Sequence, residues 1–196
     1  MGTDHCRGGM IARLPFAARF KSATLTLIFA RASFDIWWLY IGAETRRHFL
    51  PTMNRFSEFF RYDQEAHWRA AIVATWSLFD KRSDTITLAE LLRESAKGGR
   101  DVSKLQQMLD ALGPKLKKIE VLRHKLFAHR DHAIGYDDVY RLAQITPDDV
   151  RHVLDQTLTI LNGLGDLHAF APVAFNPFVT DDTARLLRTI TPRNEE

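Results

Sequence analysis

Residues 146–165 read TPDDVRHVLDQTLTILNGLG, and this stretch carries the clearest helix signals in the chain. Thr146 is a residue type that caps helix N-termini, and Pro147 suits the first turn. The two aspartates that follow favour the positive end of the helix dipole. Gly163 or Gly165 is expected to end the helix. The stretch therefore predicts one long helix with both of its ends marked.

Helical patterns also precede this stretch. Residues 102–128 predict a long helix that Gly113 and Pro114 should kink or break. Upstream of it, Thr87 and Glu90 have the spacing of a capping box at the start of LAELLRES, which predicts a short helix.

Two further helices are predicted nearer the N-terminus. One should run from about 53 to 79, with apolar residues on two faces and hence neighbours on both sides. The other should end before Pro51 and is marked by an apolar stripe formed by Phe34, Trp37, Trp38 and Ile41. No alternating strand pattern and no repeat is found in the sequence. We expect an all-α bundle of four or five helices with a C-terminal tail.

The expected domain spans residues 31–165. Residues 1–30 are interpreted as a basic arm outside the core; they have the outline of a secretory signal, but Pro15 and the arginine at position 31 argue against one. Residues 166–196 are interpreted as a tail with a short helix. Arg31 and Asp35 interrupt any long apolar span, so no membrane helix is expected. The single cysteine, Cys6, excludes an intramolecular disulfide and fits a reducing cytoplasm.

Residues 121–131 read VLRHKLFAHRD and belong to a local cluster of positive charge, although the net charge of the whole chain is only +3. Between positions 115 and 130 a single acid, Glu120, stands among six cations: Lys115, Lys117, Lys118, Arg123, Lys125 and Arg130. A solvated charged face is the common explanation of such a run, but a cluster of this density also attracts phosphate groups.

Two other interpretations of this stretch fail on context. His129, Arg130 and Asp131 spell the tripeptide of a kinase catalytic loop, but Tyr136 stands where that loop needs asparagine, and no glycine-rich phosphate loop is present. His129 and His132 have a spacing that a metal could use, but no third ligand stands at a known offset. Neither a metal nor a cofactor is therefore expected.

On a continuous helix, Arg123 and His129 would flank Leu126 at the two edges of a buried stripe. Charged groups there must be paired, reach a cleft or lie at an interface. An arginine and a histidine together also suit phosphodiester chemistry, because guanidinium binds phosphate oxygens and imidazole exchanges protons near neutral pH.

The stretch resembles the HEPN superfamily of small all-α proteins. Its ribonuclease members carry an arginine, usually followed by Asn, Asp or His, and then a histidine after four to six intervening residues; here these are Arg123, His124 and His129. The order of segments is similar to the abortive-infection, AbiU-type branch: a helix ending TWSLFD, a loop into SDTITLAELL, and RHKLFAHRD. The likeness covers roughly residues 31–165.

This resemblance implies a metal-independent endoribonuclease that acts as a toxin or abortive-infection effector and leaves a 2′,3′-cyclic phosphate. His129 would exchange protons, Arg123 would hold the phosphate, and His124 would orient Arg123 or touch the substrate. Lys118, Lys125 and Arg130 would contact the RNA. The implied partners are RNA and a second copy that shares the active-site cleft, with an antitoxin protein as a further candidate.

Arg61 and His67 repeat the arginine-histidine spacing. However, Arg61 is followed by Tyr62 rather than by a small polar residue or histidine, and the pair lies upstream of the other matching segments. They are interpreted as structural, with a salt bridge for Arg61 and a core-edge position for His67. Two alternatives to catalysis stay open. One is a non-catalytic HEPN dimer that binds RNA, nucleotide or a protein, and the other is a structural protein in which Arg123 forms a buried ion pair.

Overall fold

The computed structural model describes residues 13–82, 84–128 and 136–191, without the side chains of 126–128 and 136–139. Within these ranges the chain forms nine α-helices, one π-helical turn and no strand. The helices are α1 Phe16–Ile41, α2 Ala43–Arg55, α3 Ser57–Ser77, α4 Leu88–Lys97, α5 Ser103–Ala111, α6 Gly113–Leu122, α7 Tyr136–Ala143, α8 Pro147–Leu167 and α9 Phe178–Ile190, and the π-helical turn is Arg123–Ala128. The prediction of an all-α fold is confirmed, although the described residues form more helices than the expected four or five.

The first two helices are joined at Gly42 rather than interrupted by Pro51. The Gly42 N–H bonds to the Trp38 carbonyl at 2.8 Å, and a Cβ at Gly42 would lie only 2.8 Å from that same oxygen. A side chain is therefore excluded at the corner. The first helix ends before Pro51, as predicted, but proline is not the cause, because the break comes at Gly42 and Pro51 lies inside α2.

Most of the core is built around α1 and α3, which pack along each other in opposite directions. Trp37 and Trp68 stack with ring centroids 4.2 Å apart, and Tyr40 meets Phe60 edge-on at 5.5 Å. Helices α4, α5, α6 and α8 close this core with fully buried leucines and isoleucines, including Leu91, Ile119, Leu154 and Ile160. Burial of these side chains is the main stabilising contribution.

The N-terminal boundary at residue 31 is wrong for residues 16–30, which belong to α1. Phe20, Ala23, Leu27 and Ala30 are buried in the main core. These residues carry the apolar contact between α1 and the rest of the bundle, so they are part of the domain. The basic residue Arg19 is itself buried and pairs with Glu94 at 2.5 Å.

The C-terminal tail is also part of the domain. A short helix was predicted near its end, and α9 confirms it. This helix packs against the bundle instead of extending away from it. Ala184 and Leu187 are buried against the ends of α1 and α2, and the hydroxyls of Thr52 and Thr191 lie 2.6 Å apart. The boundary at residue 165 is therefore too early.

Some of the helix boundaries predicted from the sequence agree with the structure and others do not. Thr87 accepts a hydrogen bond from the Glu90 N–H at 3.3 Å, as its spacing predicted, and the chain breaks at Leu112 before Pro114. Thr146 caps α8 as expected. However, α8 continues through Gly163 and Gly165 to Leu167, so the expected stop is wrong. Among the described residues, no helix is long and apolar enough to span a membrane.

Candidate functional site

Arg123 and His124 open the π-helical turn that continues α6. Both side chains are partly buried, and the Arg123 guanidinium Nη1 donates to His124 Nδ1 at 3.2 Å. Because guanidinium can only donate, Nδ1 acts as the acceptor, which leaves the proton of a neutral imidazole on Nε2. Single π-helical turns inside helices are frequent at functional sites, since the wider turn re-aims the side chains around it.

The imidazole of His124 is held from the other side by α3. The Trp76 ring meets it edge-on with centroids 6.2 Å apart, and Trp76 itself is buried in the main core. The pair Arg123 and His124 is thus supported by a buried tryptophan on a packed helix. Sequence patterns did not assign Trp76 to the site; the one hint was its place in TWSLFD, a segment of the family resemblance.

Glu120, one turn before His124, is the acid of the basic cluster. It accepts a hydrogen bond from Lys117 Nζ at 2.8 Å. This bond and the nearby charges of Lys117, His124 and Lys81 lower the pKa of Glu120 below its ordinary value, although burial acts in the opposite direction. Glu120 is therefore ionised near neutral pH, and it feels the charges of both His124 and Lys81, the latter a residue that the sequence did not reveal.

The lysines expected to bind RNA differ in their surroundings. Lys118 Nζ lies 3.0 Å from Asp149 on α8, and Lys115 lies 3.4 Å from the same carboxylate. Burial alone would raise the pKa of Asp149, but hydrogen bonds from Lys118 and the Thr146 N–H lower it, so the carboxylate stays charged. Lys118 is consequently tied into the fold, whereas Lys125 is exposed on the π-helical turn.

His129 and Arg130, the remaining predicted site residues, lie in 129–135, outside the described residues, and so does His132. Their roles stay predictions. Within the part of the chain that the structure describes, no group of three or more His, Cys, Asp and Glu side chains is arranged to hold a metal ion.

Arg61 and His67 have the surroundings expected of structural residues. Arg61 is exposed and pairs with Glu58 at 2.6 Å. His67 lies 3.6 Å from Asp63 and 6.4 Å, between centroids, from the Tyr40 ring. The two side chains therefore have separate acidic partners about one turn away, whereas Arg123 and His124 are hydrogen-bonded to each other.

Comparison with protein families identifies the chain. The profile of the HEPN AbiU2 family matches residues 14–187, nearly the whole described structure. The chain belongs to the HEPN AbiU2 family. The match begins just before α1 and ends inside α9, so the family domain includes residues 14–30 and 166–187, which the sequence interpretation left outside.

Membership in the HEPN AbiU2 family relates the chain to abortive-infection HEPN proteins and agrees with the all-α fold. No curated protein and no solved structure matches the chain. The assignment to HEPN AbiU2 therefore rests on the family profile. The arrangement around Arg123 and His124 is the basis for a functional proposal.

Proposed function

We propose that this HEPN AbiU2 protein is a metal-independent endoribonuclease acting as a toxin or abortive-infection effector. The observation that carries the proposal is the Arg123 to His124 hydrogen bond at the start of the π-helical turn, backed by Trp76. A guanidinium held in one orientation can bind two phosphate oxygens at once. The surrounding lysines favour a polyanionic ligand.

In the proposed reaction, the ribose 2′-OH attacks the adjacent phosphorus, and the bond to the 5′-oxygen of the next nucleotide breaks. The 2′-OH proton is removed and the leaving 5′-oxygen gains a proton; His129 carries out one of these two transfers and water exchanges the other proton, a contribution typically worth about 10²- to 10⁴-fold. Arg123 stabilises the extra negative charge on the phosphorane oxygens. The products are a 2′,3′-cyclic phosphate and a 5′-hydroxyl, and no redox step or added co-reactant is needed.

Two copies are proposed to share the active-site cleft. The spacing of residues 123 and 129 on a straight α-helix does not apply here, because Arg123–Ala128 form a π-helical turn. The proposal rests instead on the likeness to HEPN ribonucleases, and in it Arg123 of one copy works with His129 of the other. In this proposal, Arg123→Ala and His129→Ala proteins are each inactive, and mixing them restores part of the cleavage.

The test compares cleavage of labelled single-stranded RNA in EDTA by the wild type, Arg123→Ala and His129→Ala. The chain supplies its own matched controls, Arg61→Ala and His67→Ala, with the same spacing outside the site. We expect cleavage by the wild type and both controls, and a loss of at least about 10²-fold in the two site variants.

Cleavage that requires Mg²⁺, or that persists in His129→Ala, would contradict the proposed mechanism. Binding of RNA without any cleavage would instead identify a non-catalytic HEPN protein. Thermal melting of each variant separates loss of chemistry from loss of fold.

A further inference from the structure

A cleft of about 600 Å³ lies between the α3–α4 connection, α4 and the corner where α5 meets α6. Its walls include the apolar side chains of Phe79, Leu109 and Leu116, while Lys81 and Arg93 stand among the charged residues that line it. An apolar interior with a few charged groups and a volume of this size is typical of sites for small organic ligands. A mononucleotide unit has the matching chemistry, since it joins a flat base to a phosphate.

The cleft and the motif residue His124 lie along one side of α6 and its π-helical continuation. Leu116 of the cleft, Glu120 and His124 follow one another at four-residue intervals and so share one side of α6 and its π-helical continuation. The charges of Lys81, in the cleft, and His124, at the motif, both act on Glu120. A chain of nucleotides leaving the motif along this side of α6 would therefore enter the cleft.

The carboxylates of the cleft already have partners. Asp80 accepts from Arg82 at 3.1 Å, Glu90 pairs with Arg13 and lies 3.5 Å from Arg19, and Asp110 accepts from Gln106 at 2.8 Å. The charges of Asp80 and Glu90 are therefore balanced by arginines of the fold, whereas Asp110 keeps its negative charge because the Gln106 amide is neutral.

Two cations of the cleft remain available. Lys81 and Arg93 are both exposed, and within the described ranges neither has a carboxylate within 4.0 Å. The excess charge that an incoming ligand meets in the cleft is thus positive, which favours an anion over a cation or a neutral peptide.

We infer that this cleft is the subsite for a nucleotide flanking the cleaved phosphate in single-stranded RNA. The base lies against the apolar wall formed by Phe79, Leu109 and Leu116, and its phosphates meet Lys81 and Arg93. The identity of the ligand as RNA rests on the proposed function. Unpaired bases suit such a wall because each has a flat apolar face, whereas a duplex hides those faces.

Binding is measured by fluorescence anisotropy with a labelled 2′-O-methyl RNA decamer, which cannot undergo 2′-OH attack. The full chain is compared with Lys81→Ala, Arg93→Ala and the matched control Arg46→Ala, an exposed arginine on α2. We expect each cleft variant to raise the dissociation constant about five- to tenfold and to reduce the salt slope by about one. Arg46→Ala should stay within about twofold of the wild type. Cleft variants that bind like Arg46→Ala, or a wild type that does not bind the probe, would overturn the subsite.

Cleavage kinetics distinguish this inference from the proposed function. If both hold, Lys81→Ala and Arg93→Ala raise KM and leave kcat close to the wild-type value, with unchanged melting temperatures. If the wild type binds RNA through the cleft but cuts nothing, the cleft stands as an RNA-binding site and the proposed function fails. If the cleft variants cut RNA with the wild-type KM, the subsite is overturned and the proposed function stands.

Discussion

At the scale of single residues, the hydrogen bond between Arg123 and His124 gives the motif a defined geometry. His124 is fixed by the edge-on contact with Trp76, and it accepts from the Arg123 guanidinium at 3.2 Å. A guanidinium left without this acceptor would sample several rotamers around an extended, flexible side chain. We therefore propose that His124 positions Arg123.

Substitution of His124 tests that role. In His124→Asn the amide oxygen can still accept from Arg123, whereas His124→Ala removes the acceptor. We expect His124→Ala to lower kcat about ten- to hundredfold with little change in KM, and His124→Asn to recover a substantial part of that loss. Steady-state cleavage kinetics in EDTA provide the measurement. Equal rates for the two variants would show that His124 does not act through its acceptor.

His168 is a second informative residue, and it concerns stability rather than the site. Its ring stacks on Phe16 with centroids 4.0 Å apart and forms a 2.8 Å hydrogen bond with Ser95. Burial, together with the charge of Arg100, lowers the pKa of His168 below 6.5, although Glu94 acts in the opposite direction. The unfolded chain therefore takes up this proton before the folded chain does.

The contribution of His168 to stability is fully present above pH 6.5 and declines as the pH falls through the lowered folded-state value. We expect the free energy of unfolding in urea to fall between pH 7.5 and 5.5, and to fall less in His168→Phe, which keeps an aromatic ring beside Phe16. The exposed control His48→Gln should retain the wild-type dependence. An identical pH dependence in His168→Phe and the wild type would contradict this explanation.

At the scale of helices, the start of α8 joins local capping to the motif region. The Thr146 hydroxyl accepts from the Asp149 N–H at 3.1 Å, and the Asp149 carboxylate accepts from the Thr146 N–H at 3.2 Å. The same carboxylate holds Lys115 and Lys118 of α6. One residue thus fixes both the helix end and the neighbouring helix.

Loss of the cap should be measurable as a change in stability. Thr146→Ala is expected to lower the free energy of unfolding by about 1 kcal/mol, the usual cost of removing a threonine N-cap. The control is Thr159→Ala on the same helix, an exposed threonine whose hydroxyl bonds only to the Asp155 carbonyl. It should change stability by less than about 0.5 kcal/mol. Equal effects in chemical denaturation would argue against the capping role.

The starts of α4 and α8 were predictable from the sequence, whereas the end of α8 was not. Thr87 and Thr146 act through neighbours three residues away, so their spacing alone reveals them. Gly163 marks a close contact instead of an end, because a Cβ there would lie 2.6 Å from the Leu105 side chain on α5. That requirement comes from a distant helix, and no local pattern contains it.

At the scale of the whole molecule, the N-terminal half of α1 shows why the domain boundary was misjudged. Its buried stripe contains Phe20, Leu27 and two alanines, while Leu25 and Phe29 on the outer face are 56% and 57% exposed. Apolar side chains therefore occur on both faces, and the periodicity that identifies an amphipathic helix is lost. Only the packing against α3 and α8 distinguishes the two faces.

Two leucines of α1 test whether residues 16–30 belong to the core. Leu27 is fully buried, and Leu27→Ala should lower the free energy of unfolding by about 2 to 5 kcal/mol through lost burial and the cavity left behind. Leu25→Ala makes the same chemical change at an exposed position and should cost less than about 0.5 kcal/mol. Similar, small effects in both would support the sequence interpretation of an arm outside the core.

Part of the candidate site was predictable from neighbouring residues in the sequence, and part depends on residues that are distant in the chain. Arg123 and His124 are adjacent in the chain, so a short motif was enough to select them. Trp76, Lys81 and Asp149 reach the same region from other parts of the chain, and tertiary packing alone places them there. Residue spacing therefore identified Arg123 and His124 as candidate site residues. It did not reveal the contact with Trp76, the cleft beside Lys81 or the ion pair of Lys118 with Asp149.

The central claim, RNA cleavage by 2′-OH attack, is tested most directly by the ends of the products. Wild-type protein in EDTA is incubated with an RNA of defined cleavage site and with the same RNA carrying 2′-deoxyribose at that site. We predict 2′,3′-cyclic phosphate and 5′-hydroxyl ends from the first RNA and no cleavage at the modified position of the second. Products with 3′-hydroxyl and 5′-phosphate ends, or cleavage at the 2′-deoxyribose, would contradict the account.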